Sequence, residues 1–317
     1  MPGEGKDRKR AAPLESILRG SVATNRGHLD ISGALANTTS ARRGAELTCH
    51  KGGRRSREVL RTELTTGEDW ECWSGLCWYL QVFCKQCALV SNSGQMRGAR
   101  RGGDIDEAGC VLRMNNAPTV GYESDVGSRT TLRVVSHTSV PLLVRNATYF
   151  FRQSADTLYV IWGPERKMKK DASIYNLLQK IQKIYPSVKL YVFTQEKMRS
   201  CDAIFQNETG KDRMKSGTFL STGFFSLILA MDLCESISVY GMVDQGYCSQ
   251  ANRSSVPYHY YETAKLNECL MYNTHERAAR GGHRFITEKA IFARWAVQRK
   301  RMTFTQPSWP ELGSSLL

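Results

Sequence analysis

The sequence lacks any long apolar segment. No stretch of about 18 consecutive apolar residues occurs in its 317 residues, although a transmembrane helix needs roughly that length. A secretory leader, with a charged start followed by an apolar core, is also missing. Glycine (26) and proline (9) are too scarce for a fibrous or low-complexity protein. The sequence therefore predicts a globular protein without a membrane-spanning helix.

Acidic residues are too few to balance the basic ones. The chain has 44 Lys and Arg against 30 Asp and Glu, a formal net charge of +14. This charge favours an anionic partner, such as nucleic acid, a phosphorylated cofactor, an acidic sugar or a membrane surface. Hydrophobic residues make up 41% of the chain, which is enough to form a sizeable core. Ten cysteines are too dilute for a small disulfide scaffold.

Composition divides the chain into three parts. Residues 1–83 are basic and rich in Ser, Thr, Gly and Arg. They are predicted to be mostly disordered, with no visible signal anchor. Residues 84–309 are predicted to fold as one domain, followed by a tail at 310–317. Arg54, Arg55 and Arg57 leave open a basic arm that binds nucleic acid, but no known nucleic-acid recognition module accompanies them.

Predicted strands alternate with predicted helices from Cys84 onward. Short apolar runs indicate strands at 87–90, 110–114, 132–135, 158–162, 190–193, 237–240 and 302–305. Apolar spacing or continuous apolarity indicates helices at 174–184, 224–234 and 286–297. This alternation predicts an α/β fold, in which helices flank both faces of a mostly parallel sheet.

Ligands of such sheets lie beyond the carboxyl ends of the strands. Asn92 and Ser93 follow the first of these strands, and Asn115 follows the second. Asn and Gly also form ordinary turns, so an alternative without a ligand remains open. Ser221 and Thr222 precede Gly223 at the start of the apolar helix. They predict a helix N-terminus that either binds an anion or is simply capped.

Two histidines are candidate catalytic residues, and several other motifs are not. His259 lies among tyrosines and His283 precedes a helix, although a lone histidine is more often structural. Gly210-Lys211-Asp212 lacks the spacing of a phosphate-binding loop. Cys84 and Cys87 have no second cysteine pair at zinc spacing. Asp104 and Asp106 are interpreted as solvated residues of a Gly- and Arg-rich loop rather than as metal ligands.

Four segments, in matching order and spacing, resemble the sialyl motifs of the animal sialyltransferases. Residues 87–135 resemble the long motif and residues 220–242 the short motif. Residues 258–262 (YHYYE) are similar to the third motif, and residues 283–288 (HRFITE) to the fourth. The variants SNSGQM, VSHTSVPLL, ETGKDR and HRFITEK are most similar to the N-acetylgalactosaminide α2,6-sialyltransferases. Within them, the branch that acts on sialylated acceptors is the most similar.

The resemblance implies the GT-A-like α/β fold of this family. It also implies a metal-independent, inverting transfer of sialic acid from CMP-sialic acid, with no cofactor. Residues 84–309 are then the catalytic domain. The implied acceptor is the N-acetylgalactosamine of a sialylated Gal-β-1,3-GalNAc glycan on a glycoprotein or glycolipid. The family positions that hold the CMP donor correspond to Asn92, Ser93, Asn115, Ser221, Thr222 and Gly223.

The resemblance further assigns roles to both histidines. His283 matches the proposed general base, and neutral imidazole suits removal of a hydroxyl proton near pH 7. His259 matches a position beside the donor phosphate. The family also implies a disulfide between Cys87 and Cys234. Further predicted pairs are Cys248–Cys269 and Cys84–Cys110, and N-glycosylation sequons begin at Asn37, Asn146, Asn207 and Asn252.

The main departure from the family concerns the N-terminus. Family members are Golgi type II membrane proteins with one N-terminal transmembrane helix, which residues 1–80 do not resemble. The preferred interpretation is that an upstream exon was replaced or missed, which predicts the Golgi lumen. Alternatives are a non-catalytic CMP- or glycan-binding protein and a basic nucleic-acid-binding protein. The presence of His283 favours the enzyme.

Overall fold

A single twisted sheet organises the protein. The computed structural model describes residues 70–72, 82–154, 156–262 and 266–310. Within these residues the sheet has eight strands: β1 (Trp70–Cys72), β2 (Cys84–Val90), β3 (Cys110–Met114), β4 (Leu132–Ser136), β5 (Leu158–Trp162), β6 (Lys189–Phe193), β7 (Cys234–Tyr240) and β8 (Met302–Gln306). Their order is β1-β6-β5-β4-β3-β2-β7-β8. All neighbouring pairs are parallel except β1 and β6. The predicted α/β fold with a mostly parallel sheet is therefore confirmed.

Helices connect the parallel strands. They are α1 (Gly102–Glu107), α2 (Glu123–Val126), α3 (Val140–Arg145), α4 (Glu165–Met168), α5 (Ser173–Ile184), α6 (Gln195–Thr209), α7 (Arg213–Ser216), α8 (Thr222–Leu233), α9 (Glu268–Arg277) and α10 (Phe285–Arg299). Short 3₁₀ turns lie at Gly94–Met96 and Tyr247–Ser249, and a π-helical turn lies at Thr148–Gln153. Within the described ranges, no helix is both long and apolar enough to cross a membrane.

The apolar helix α8 forms the centre of the largest core cluster. It packs against β2, β3, β4 and β7, and eight of its residues are buried. Phe224 contacts the rings of Phe205, Phe292 and Trp295, with centroids 5.7–6.0 Å away. Burying each such side chain contributes roughly 1.5–3 kcal/mol. This packing fixes the N-terminus of α8 against the carboxyl edge of the sheet.

Most predicted elements are present, with bounds shifted by a few residues. The strands predicted at 110–114 and 158–162 have those bounds, and β2 and β7 begin three residues earlier than predicted. Two long helices, α6 and α9, were missed. Helix α6 buries Met198, Cys201 and Phe205 on a narrow stripe, and its remaining positions are mainly polar. Such a stripe gives a weak amphipathic signal in the sequence.

The domain boundaries remain proposals. Strand β1 pairs with β6 although it comes from the segment 1–83, which was predicted to be mostly disordered. The rest of that segment up to residue 81 lies outside the described residues. The predicted tail at 310–317 lies outside them too, apart from Pro310.

Three disulfides are formed within the described residues. Cys84 is joined to Cys110, Cys87 to Cys234, and Cys248 to Cys269. The first two link the central strand β2 to its neighbours β3 and β7. The sulfurs of Cys84, Cys87 and Cys110 lie close together, but all three are oxidised in disulfides. They therefore do not form a zinc site.

Candidate active site

A cleft opens at the carboxyl edge of the sheet, where the strand order reverses between β2 and β7. Such switch points are the usual ligand sites of open α/β sheets. The residues that follow β2, β3 and β4 line the cleft together with the N-terminus of α8 and the first turns of α10. The structure brings all the predicted donor-binding and catalytic residues into this cleft: Asn92, Ser93, Asn115, Ser221, Thr222, Gly223, His259 and His283.

Asn92 carries a buried polar atom that the protein does not satisfy. The residue is 8% exposed, and its Nδ2 lies 3.5 Å from the Tyr261 hydroxyl. Its Oδ1 is buried and has no hydrogen-bond partner among the described residues. Because buried polar atoms are almost always hydrogen-bonded, this oxygen is available to accept from a ligand.

Ser93 differs from its neighbour because its side chain is already used. Its hydroxyl donates to Glu268 Oε1 over 2.6 Å and accepts from the backbone N–H of Gln95 over 3.0 Å. Gln95 Nε2 donates to the other Glu268 oxygen. Ser93 therefore anchors the loop after β2 to α9, and it contributes mainly to the shape of the cleft.

Asn115 joins the ends of two strands. It adopts the left-handed conformation with φ +49°, which Asn tolerates better than most residues. Its Oδ1 accepts from the backbone N–H of Ser136 over 2.9 Å. Its carbonyl accepts from the guanidinium of the buried Arg133. The side-chain Nδ2 of Asn115 is the group that remains for a ligand.

The N-terminus of α8 is capped and buttressed. The hydroxyl of Ser221 accepts from the N–H of Phe224 over 3.1 Å and donates to Glu288 Oε2. Glu288 Oε1 accepts from the Ser221 N–H over 2.8 Å. The N–H groups of Thr222 and Gly223 belong to the first helical turn and have no partner inside the helix. A helix N-terminus of this kind stabilises phosphate or carboxylate.

Glu288 supports Ser221 rather than His283. The carboxyl is 1% exposed, and burial raises its pKa to about 7 despite the hydrogen bonds from Ser221. Among the described residues, Glu288 forms no hydrogen bond and no ion pair with the His283 ring. Within the fourth motif, this glutamate therefore links α10 to the cap of α8.

The raised pKa of Glu288 predicts a pH-dependent stability. The native carboxyl holds its proton up to about pH 7, whereas the unfolded one releases it near its ordinary pKa of 4.5. The contribution of Glu288 to the free energy of unfolding therefore falls as pH rises through this window. Glu288→Gln cannot titrate, so its free energy of unfolding should rise relative to wild type from about pH 4.5 to about pH 7.

Urea unfolding of both proteins across that pH range measures this difference. The exposed Glu235 provides a matched control, because Glu235→Gln should show no such change relative to wild type. If the difference in free energy of unfolding between wild type and Glu288→Gln is the same at every pH, the raised pKa of Glu288 is contradicted.

His283 is held in a form suited to accept a proton. Its Nδ1 lies 3.0 Å from the carbonyl oxygen of Phe219. Since a carbonyl only accepts, Nδ1 carries the hydrogen and Nε2 carries the lone pair. Burial lowers the pKa of His283 below its ordinary value of 6.5. The neighbouring His275 stacks on it with centroids 5.4 Å apart and accepts from its backbone N–H.

His259 occupies a different environment on the other side of the cleft. Its Nδ1 is 2.8 Å from Glu262 Oε1, and its ring stacks on Tyr261 at 5.1 Å and 9°. The carboxylate accepts the Nδ1 hydrogen and fixes the orientation of the ring.

Several residues that line the cleft were not singled out from the sequence: Ser136, Thr138, Ser139, Trp162, Tyr258, Tyr272, Phe285 and Lys289. Ser136 and Trp162 end β4 and β5, so the strand-end rule that selected Asn92 also applies to them. Nε1 of Trp162 is buried without a partner among the described residues. Tyr272 and Lys289 carry no such signal because α9 and α10 reach the cleft only through tertiary packing.

The structure corrects the interpretation of Asp104 and Asp106. Both lie in helix α1 rather than in a loop. Asp104 is exposed and pairs with Arg101, but Asp106 is half-buried and accepts hydrogen bonds from Ser128 and Arg129. Neither carboxylate lines the cleft. Asp106 therefore holds α1 against the loop before β4.

Comparison with known proteins agrees with the motifs. Residues 80–298 match glycosyltransferase family 29 (sialyltransferase). The chain belongs to this family. The sialyltransferase is 56% identical over 232 residues to alpha-N-acetylgalactosaminide alpha-2,6-sialyltransferase 3 of Rattus norvegicus, covering 73% of this chain and 75% of the relative.

A human relative and a solved structure give further comparisons. The sialyltransferase is 55% identical over 228 residues to alpha-N-acetyl-neuraminyl-2,3-beta-galactosyl-1,3-N-acetyl-galactosaminide alpha-2,6-sialyltransferase of Homo sapiens. That alignment covers 71% of this chain and 75% of the relative. A crystal structure of a mammalian sialyltransferase in complex with Gal-beta-1-3GalNAc-ortho-nitrophenol is 22% identical, with a TM-score of 0.46. It covers 70% of this chain and 69% of that one.

Family membership identifies the protein as a glycosyltransferase. Sialyltransferases of this family use CMP-sialic acid as the donor, and the family consists of Golgi glycosyltransferases.

Proposed function

We propose that this sialyltransferase transfers sialic acid in α2,6 linkage to the N-acetylgalactosamine of a sialylated Gal-β-1,3-GalNAc glycan. The acceptor is carried by a glycoprotein or a glycolipid. One observation carries the proposal: a single cleft contains an open helix N-terminus and two histidines whose Nδ1 atoms are both fixed. These are the groups that a displacement at a CMP-sugar requires.

The roles of these groups follow from the charges that develop. The O6 hydroxyl of the acceptor attacks the anomeric carbon of sialic acid, and the bond from that carbon to the CMP phosphate breaks. The hydroxyl proton passes to Nε2 of His283. The phosphate gains negative charge, which the N-terminus of α8 and His259 stabilise. Attack opposite the leaving phosphate inverts the configuration at the anomeric carbon.

Two observations support the choice of acceptor. The human relative at 55% identity is named for a sialyl-galactosyl-N-acetylgalactosaminide acceptor, and the rat relative for α-N-acetylgalactosaminide. The net charge of +14 also suits a reaction in which the donor and the acceptor are both anionic.

A linkage assay tests this function. The purified full-length chain is supplied with CMP-sialic acid and a sialylated Gal-β-1,3-GalNAc disaccharide, and the product linkage is mapped. The expected product carries a second sialic acid at O6 of N-acetylgalactosamine. CMP-sialic acid binding without any turnover would instead favour a non-catalytic CMP- or glycan-binding protein.

We expect activity without a divalent metal. Of the described residues that line the cleft, Glu288 has the only carboxylate, and Ser221 engages both of its oxygens. The charge that a metal ion supplies in other glycosyltransferases is here assigned to His259 and the N-terminus of α8. EDTA should leave the initial rate unchanged. A loss of rate in EDTA that manganese restores would overturn this expectation.

We also expect N-glycans, because the proposed location is the Golgi lumen. The sequon residues Asn146, Asn207 and Asn252 are all exposed, and Asn37 lies outside the described residues. Glycosidase treatment of the protein secreted or retained by animal cells should increase its electrophoretic mobility. Replacing all four asparagines by glutamine is the matched control and should abolish the shift. A wild-type chain that shows no shift would contradict the luminal location.

A further inference from the structure

Lys289 is a buried cation in the active-site cleft. It is the fifth residue of α10, it is 5% exposed, and it lines the cleft beside Glu288. Its Nζ lies 3.9 Å from the ring centroid of Tyr272 and 5.8 Å from that of Phe285. Within the described part of the chain, its ammonium group forms no hydrogen bond and no ion pair.

The two acidic side chains that act most strongly on the charge of Lys289 are Glu268 and Glu288. Both already accept hydrogen bonds from other residues. Glu268 accepts from the hydroxyls of Ser93 and Tyr272, each over 2.6 Å. Glu288 accepts from the N–H and hydroxyl of Ser221. Burial lowers the pKa of Lys289, although the charge of Glu268 and the ionised fraction of Glu288 act in the opposite direction. A buried ammonium in this position gains most from an anion that enters the cleft and hydrogen-bonds to it directly.

Packed aromatic rings connect the surroundings of Lys289 to both His283 and His259. Phe285 packs against Tyr272 and against His283, with both centroid distances 5.1 Å. Tyr272 in turn packs against Tyr258, which contacts His259. The cation therefore lies on an aromatic wall that extends from the assigned base to the assigned phosphate-binding histidine. The proposed function places the donor phosphate at the N-terminus of α8, so an anion bound by Lys289 would be a different group.

We propose that Lys289 binds a carboxylate of sialic acid in the cleft and thereby determines substrate specificity. The inference rests on the proposed function, in which sialic acid occurs twice. The donor has a carboxylate on the carbon under attack, and the sialylated acceptor has another. Both carboxylates present the same chemistry to the ammonium group. The affinity for CMP-sialic acid reports on the donor carboxylate, and the KM for the sialylated disaccharide reports on the acceptor carboxylate.

The test uses Lys289→Met in the full-length protein. Methionine keeps the apolar stem over Tyr272 and removes the charge. Affinities for CMP and for CMP-sialic acid are measured by calorimetry, and KM is measured for sialylated and for desialylated Gal-β-1,3-GalNAc. Lys289→Arg keeps the charge and should retain part of the substrate affinity that Lys289→Met loses. The exposed Lys180 provides the control variant Lys180→Met.

The expected result is an unchanged affinity for CMP together with a loss of roughly 30-fold or more for one carboxylate-bearing substrate. A loss confined to CMP-sialic acid identifies the donor carboxylate. A raised KM confined to the sialylated disaccharide identifies the acceptor carboxylate. Equal weakening of CMP and CMP-sialic acid would overturn the proposal, as would unchanged constants for every substrate. Wild-type protein that makes no α2,6 product would refute the proposed function instead.

Discussion

Replacing His283 by alanine is expected to lower kcat by about 10² to 10⁴, the usual contribution of a general base. The affinity for CMP should remain nearly unchanged, because the imidazole is assigned to the acceptor hydroxyl and not to the nucleotide. The Nδ1 contact with the Phe219 carbonyl leaves Nε2 as the only ring atom that accepts a proton. Single-turnover kinetics and CMP titration of the same preparation measure both quantities.

His259→Ala provides the contrasting variant. It should weaken binding of CMP-sialic acid or slow departure of the phosphate, since His259 is assigned to the donor. A folded His283→Ala enzyme with near-normal kcat would refute the assignment of the base. A lower melting temperature with unchanged kcat of the folded fraction would show that His283 merely stabilises the start of α10.

The pH profile of the wild-type enzyme gives a second measurement of the same group. A base must be unprotonated to act, so kcat/KM should fall as pH drops through the pKa of His283. Burial lowers that pKa below 6.5. The fall of kcat/KM on the acidic side should therefore occur at a pH below the pKa of an ordinary histidine. An acidic limb above pH 6.5 would contradict this environment.

Removing the disulfide between Cys87 and Cys234 is expected to cause the largest loss of stability. The bridge closes a loop of 147 residues, for which the chain-entropy model gives about 5 kcal/mol as an upper figure. Both cysteines are buried, at 0% and 3% exposure. Urea unfolding of the double variant Cys87→Ala/Cys234→Ala should show a loss of about 2–5 kcal/mol in the free energy of unfolding.

The disulfide between Cys248 and Cys269 is the matched control. Its loop has 21 residues, for which the same model gives about 3 kcal/mol. Removing this short-loop bridge should therefore cost less than removing the long-loop one. Equal losses would contradict the entropic argument. Alkylation of Cys87 in the unreduced wild-type protein would contradict the bridge itself.

Local patterns were sufficient for most of the sheet. Strands β3 and β5 are fully buried and mainly apolar, so a nearly continuous run marks each of them. Helix α8 is apolar on nearly all sides, and its cap Ser221 is visible in the sequence. Helices α6 and α9 escaped because tertiary contacts, rather than an amphipathic pattern, stabilise them. Strand β1 has only three residues and is recognisable as a strand only because it pairs with β6.

The register of the β-strands does not by itself determine which cysteines form disulfides. In the parallel ladders, Cys87 lies opposite Cys110 and Cys84 opposite Cys234. The disulfides connect the other combinations, Cys84 with Cys110 and Cys87 with Cys234. Strand neighbours in register are therefore not the bonded pairs, and the side-chain directions decide which sulfurs meet.

The sequence by itself determined the fold class, the family and several of the residues that line the cleft, because strand periodicity, caps and motif spacing are local properties. Only the tertiary structure decided which contacts these residues make there. It showed that Glu288 supports Ser221 and that the hydroxyl of Ser93 is already used by Glu268. It also showed that the buried Lys289 forms no ion pair with any residue that the structure describes. These are contacts between residues distant in sequence, and the free energy of such contacts depends on burial and geometry that no local pattern records.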